Sequence, residues 1–100
     1  MFVILVEYRR PLSEIKDHVD AHRAHLGRHY EAGNLLMTGR LEPVTGGIIL
    51  AVGTRIDIDR IVAEDPFVIE ALADYTVFEF NPNRVADDLR EIVRRHGIEI

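Results

Sequence analysis

The chain contains no cysteine. This rules out a disulfide framework, a thiol nucleophile, a CxxC redox motif and a thiolate zinc site. Long apolar runs are missing too. The run Phe2 to Val6 is far too short to span a bilayer or to form a signal-peptide core, and no basic segment precedes it. An excess of positive charge is also absent. Lys and Arg number 12 against 17 Asp and Glu, a formal charge of −5 at pH 7. Counterion-driven nucleic-acid binding is therefore not expected. No repeat, low-complexity segment or linker divides the chain, and 100 residues are too few for two separate cores. The expectation is one soluble, cytoplasmic domain over residues 1–100.

What is present reads as an α+β pattern, with 47% apolar and 29% charged residues. "FVILVEY" (2–8) is a β-branched-rich strand. Residues 12–33 read as a helix, with Ser13 as its cap and Gly33 as its stop. Gly27 inside that helix costs about 1 kcal/mol against Ala, which suggests close packing or a bend. Residues 34–42 and 46–54 form two strands joined by the Pro- and Gly-rich "PVTGG". A short helix over 55–65, with Asp57 as its cap, leads through a helical turn (66–73) into a strand over 74–82. Residues 83–96 are amphipathic, with Val85, Leu89, Ile92 and Val93 facing inward and Gly97 as the stop.

The order βαββαβ plus a last helix is the ferredoxin-like arrangement. "FVILV" and "IILAV" are apolar at every position, so both faces of the sheet should be covered. The helices can cover only one. The other calls for a second copy of the chain, a homodimer through the sheet face that the tail "IEI" (98–100) could join. The alternative is that the last helix of the same chain covers it.

Four of the five histidines, His18, His22, His25 and His29, recur in "HVDAHRAHLGRH" at intervals of four, three and four. At about 100° per residue they form one stripe along the border of the apolar face carrying Ile15, Val19 and Leu26, with His22 nearest its centre. A zinc site of the HExxH type is not expected, because Val19 stands where the base belongs and further ligands are missing. His18, His25 and His29 read as solvated helix side chains. For His22 the residues leave two readings open, a buried histidine bonded to backbone or a group placed for proton transfer.

Two stretches bear on that choice. "AHRAHLGRHYEAGNLLMTG" (21–39) and "AEDPFVIEALADYTVFEF" (63–80) together resemble the YCII (YciI-like) family, over nearly the whole chain. The resemblance implies the dimeric α/β-barrel form of the fold. It also implies a His–Asp acid/base pair, which falls on His22 and Asp65. The family includes a member that acts by dehydrochlorination. Two positions depart from its pattern: Arg40 follows Gly39 in place of Pro, and Ala71 replaces Gly. Arg40 could supply a cation for an anionic ligand.

An imidazole held by a carboxylate is fixed in tautomer and made more basic, which suits proton abstraction beside a carbonyl, elimination or isomerisation. No nucleophile accompanies the pair, so covalent hydrolysis is not expected. Asp65 before Pro66 also reads as an ordinary helix cap, and one carboxylate can serve both ends. Tyr8 and Arg9, at the exit of the first strand, either line the same cleft or simply flank the turn. The function expected is a small enzyme without metal or organic cofactor, acting on a small carbonyl-bearing or cyclic metabolite. The alternative is a small-molecule-binding or regulatory dimer without catalysis.

Overall fold

A computed structural model describes all 100 residues. The element order is β1 (Phe2–Tyr8), α1 (Leu12–Lys16), α2 (Val19–Glu31), β2 (Leu35–Arg40), β3 (Gly46–Ala51), α3 (Arg55–Ala63), α4 (Pro66–Ile69), β4 (Ala73–Glu79) and α5 (Asp87–Arg95). The sheet runs β2-β3-β1-β4, and each neighbouring pair is antiparallel. This is the α+β, ferredoxin-like topology read from the sequence, with β1 and β3 at its centre.

Strand alternation sorts side chains onto two faces. Phe2, Ile4 and Val6 of β1 point to the helices with Ile49 and Ala51 of β3, and all five are buried. Leu26 of α2, Ile58 and Ile61 of α3, and Phe67 of α4 close the core over them. Gly46 enters β3 against β1, where a Cβ would run into the carbonyl oxygen of Val6. Only glycine fits this close approach.

Several boundaries differ from the sequence reading, each for a local reason. The helix expected over 12–33 is two helices. The amides of Asp17 and His18 bond back three residues, to Glu14 and Ile15, at 3.3 and 3.0 Å, and His18 leaves helical geometry at φ −114°, ψ 2°. This tightened turn lets Ile15 and Leu26 reach one core from two axes. Ser13 is not the cap, since Pro11 holds the cap position of α1, with no side-chain cap bond. In α3 the cap is Thr54, and Asp57 completes a capping box from three residues inside. Both middle strands are shorter than expected, and β2 carries an irregularity between Leu35 and Met37. The last helix starts at Asp87 rather than 83, with two acidic residues at its positive end.

The rear face of the sheet, formed by Val3, Leu5, Ile48, Leu50, Met37 and Phe78, is apolar. Met37 is 64% and Phe78 53% exposed. Leu89 and Ile100, in the last helix and the tail after it, are each 48% exposed, so this part of the chain leaves apolar side chains of its own open. No helix is long and apolar enough to cross a membrane.

Candidate active site

Asp65 sits where α3 hands over to α4. Its backbone is extended (φ −70°, ψ 130°), Pro66 opens α4, and the side chain caps the helix by accepting from the Phe67 amide at 2.9 Å. The cap accounts for only part of the carboxylate. Nδ1 of His22 lies 2.9 Å from Oδ1 and 3.0 Å from Oδ2, and the Tyr75 hydroxyl donates to Oδ2 at 2.8 Å. Asp65 itself is only 1% exposed, so each of these donors replaces water that the carboxylate has lost.

The electrostatic balance favours the anion. Burial pushes the Asp65 carboxyl up, but the hydrogen bond and charge of His22, with the donors from Phe67 and Tyr75, outweigh it and hold the group below its ordinary value. Tyr75 moves the other way. Burial, followed by the nearby Asp65 charge, raises its hydroxyl far above the ordinary range and keeps it a donor.

With the carboxylate ionised, Nδ1 of His22 carries the proton and donates it, which leaves Nε2 as the nitrogen with a free lone pair. No buried side-chain polar atom lacks a partner, and Nε2 has none within the protein, so it opens to solvent. The ring lies flat on Phe67, with centroids 3.9 Å apart and planes 4° apart. Tyr8 meets the same Phe67 edge-on at 6.1 Å. Phe67 is thus the floor on which the imidazole rests. The arrangement can hold a base at a fixed position and stabilise the imidazolium formed when it takes a proton.

The histidine stripe needs a correction at His25. The sequence placed it on the wet side and His22 nearest the core. In the structure His25 is 1% exposed, and its Nε2–H donates to the Ile61 carbonyl at 2.7 Å. Helix α3 packs on that flank of α2 and moves the apolar centre toward His25. His29 meets the His25 ring at 4.7 Å, and burial followed by His25's charge lowers its proton affinity. His18 is half-buried at the start of α2. No group of three or more His, Asp or Glu side chains is arranged to hold a metal ion.

The other expected ligand-contacting residues are scattered. Tyr8 reaches the site through Phe67. The Arg9 guanidinium is taken by Asp74 in an exposed ion pair that raises its proton affinity. Arg40 forms no ion pair and shares a cross-strand row with Gly47, Val6 and Tyr75 on the opposite edge of the sheet. Three strand spacings put its backbone about 14 Å from that of Tyr75, so the structure does not bring it to the pair. Tyr75 and Phe67 were not singled out from the sequence. The signal for Tyr75 was its inward place in β4, two residues from Ala73 and Val77; for Phe67 it was the cap bond expected of Asp-Pro-Phe. Two clefts lie along the C-terminal residues, lined by Arg90, Val93, Ile98 and Ile100 among others, away from His22.

The YCII-related domain family matches residues 1–81. The chain belongs to the YCII-related family. Among curated proteins none matches this chain. Among solved structures it is similar to 5-chloro-2-hydroxyhydroquinone dehydrochlorinase from Burkholderia phenoliruptrix, determined in complex with 2,5-dihydroxybenzoquinone. Identity is 19%, the alignment covers 80% of this chain and 93% of that one, and the TM-score is 0.66. At that identity the likeness establishes the fold. The YCII-related domain holds β1 through β4, and therefore the whole His22–Asp65–Tyr75 cluster, while α5 lies outside it.

Proposed function

We propose that the protein is a small enzyme that moves protons on a carbonyl-bearing or cyclic metabolite, with His22 as general acid/base and Asp65 as the group that orients it. The observation carrying this reading is the Nδ1 contact to a buried, triply hydrogen-bonded carboxylate, with Nε2 left open. In the proposed cycle the lone pair of Nε2 takes a proton from carbon beside a carbonyl, and the electrons pass to the carbonyl oxygen as an enolate. The imidazolium, paired with Asp65 and lying on the Phe67 face, then returns the proton to the substrate at carbon or oxygen. Isomerisation follows if the proton returns elsewhere, and elimination if the enolate expels a leaving group. The general-base contribution expected of such a group is about 10²–10⁴ in rate.

The dehydrochlorinase of similar fold gives this reaction class a precedent, since its name describes loss of chloride and a proton from a hydroxylated ring. Tyr8 would form one wall of the substrate site. We also propose that the protein works as a homodimer, because the rear sheet face is apolar and open in a single chain. The competing reading is a binding dimer without turnover. The clefts along the C-terminal residues speak for it, since they lie away from His22.

The test is solvent deuterium exchange into a panel of small cyclic ketones and hydroxyquinones, followed by NMR. Wild type should exchange C–H positions beside the carbonyl, and His22→Gln should lose at least about a hundredfold in rate. Binding by both proteins with no exchange by either would leave the binding dimer as the account.

A further inference from the structure

Residues 82–100 lie beyond the matched domain, and none of the 13 residues of the core cluster comes from them. Their backbone hydrogen bonds stay among themselves. The amide of Ile98 returns to the Val93 carbonyl at 3.1 Å, Gly97 makes the turn at φ +75°, and Val93 is buried. Leu89 and Ile100 each remain 48% exposed. Leu89 and Ile92, three residues apart, fall on one side of α5, and the half-buried Val85 lies in the extended segment that leads into it. On the polar side Arg90 pairs with Asp87 at 3.1 Å and Arg94 with Glu91 at 3.4 Å, so those charges are satisfied within the helix.

The arm's chemistry narrows what could cover these side chains. Its four arginines balance four acidic side chains, which gives neither an anionic lipid surface nor a nucleic acid any net attraction. An apolar protein surface remains. The chain has one to offer, the rear sheet face of Val3, Leu5, Ile48, Leu50 and Phe78.

The surface area points the same way. The chain exposes 6690 Å². A compact protein of 11.4 kDa exposes about 5,800 Å². The excess, about 900 Å², is close to the roughly 800 Å² that one partner contributes to a standard interface. The radius of gyration, 14.1 Å, likewise exceeds the about 13 Å of a compact chain this long.

We infer that the C-terminal arm of one copy docks on the rear sheet face of a second copy through Val85, Leu89 and Ile92, and that the exchange is reciprocal. This rests on the homodimer proposed above and adds to it the element that clamps the two copies together. The arm leaves β4 where Phe80 and Met1 exchange hydrogen bonds at 2.9 and 3.1 Å. That is the opposite end of the strand from Tyr75 and the His22 site. Changes in the arm therefore leave the proposed chemistry untouched.

The absence of cysteine makes the test clean. A nitroxide is attached to Glu91→Cys, on the polar side of the arm, in chain without isotope enrichment. That chain is mixed with unmodified, methyl-enriched chain. Methyl signals of Val3, Leu5, Ile48 and Leu50 should broaden in the unmodified copies. In parallel, Leu89→Glu/Ile92→Glu, at positions that the single chain leaves at least partly exposed, should weaken dimerisation about tenfold or more by sedimentation equilibrium. A dimer of unchanged affinity, with no broadening between copies, overturns the arm and leaves the sheet-face dimer standing. A wild-type chain that sediments as a monomer overturns both.

Discussion

His22 and His25 stand three residues apart on one helix, and their rings end in different chemistry. His25 is sealed in the core and gives its proton to a backbone carbonyl, a partner whose charge never changes. His22 is partly exposed and gives its proton to a carboxylate that is itself anchored by Phe67 and Tyr75. Equal residue type and near-equal helix position thus produce a structural bolt in one case and a group with an open ring nitrogen in the other. The partner on the far side of the ring decides which.

Substitutions should separate the two positions by what they damage. The largest loss of stability is expected from His25→Ala, about 3 kcal/mol, because it opens a core cavity and strips the Ile61 carbonyl of its donor. Urea unfolding measures it, while exchange activity per folded molecule should be retained.

Asp65→Asn should cost about 2 kcal/mol at pH 7, and the cost should depend on pH. The folded carboxyl titrates below its ordinary value, so its stabilisation is complete above that ordinary value, near pH 4, and fades as pH falls through the lower folded value. The gap in unfolding free energy between wild type and Asp65→Asn should therefore be constant from pH 7 to 5 and close below about pH 4.

Tyr75→Phe should cost about 1 kcal/mol, the worth of one hydrogen bond to the carboxylate. Because His22 and the Phe67 amide still hold Asp65, exchange activity should fall less than in His22→Gln. The smallest effect belongs to His29→Gln. Folding lowers the proton affinity of His29, so the unfolded chain takes up the proton first and wild type loses stability as pH falls through about 6.5. The variant should match wild type at pH 8 and exceed it slightly at pH 5, read as melting temperature.

Much of this was legible in the sequence because it rests on local rules. Apolar strand runs, Gly33 and Gly97 as stops, and the Asp65–Pro66 cap gave the element order and one half of the site. The resemblance carried by residues 21–39 and 63–80 joined Asp65 to His22 across 43 residues, a pairing no local periodicity contains. Helical projection failed for His25, because it ranks faces by the residues of α2 alone. The packing of α3 on that flank is a tertiary fact. Tyr75 was hidden for the same reason, since an inward tyrosine in a strand is ordinary core until its hydroxyl has a named acceptor. Arg40 illustrates the reverse. Its charge suggested a ligand contact, but the strand order places β2 at the edge farthest from β4.

The central claim is that Asp65 fixes the His22 ring with its proton on Nδ1 and leaves Nε2 as the base. Long-range ¹H–¹⁵N correlation spectra of the neutral ring test this directly, in wild type and in Asp65→Ala. The account expects the Nδ1–H tautomer in wild type and loss of that fixed tautomer in the variant. A wild-type ring protonated on Nε2, or a tautomer indifferent to Asp65, would contradict it.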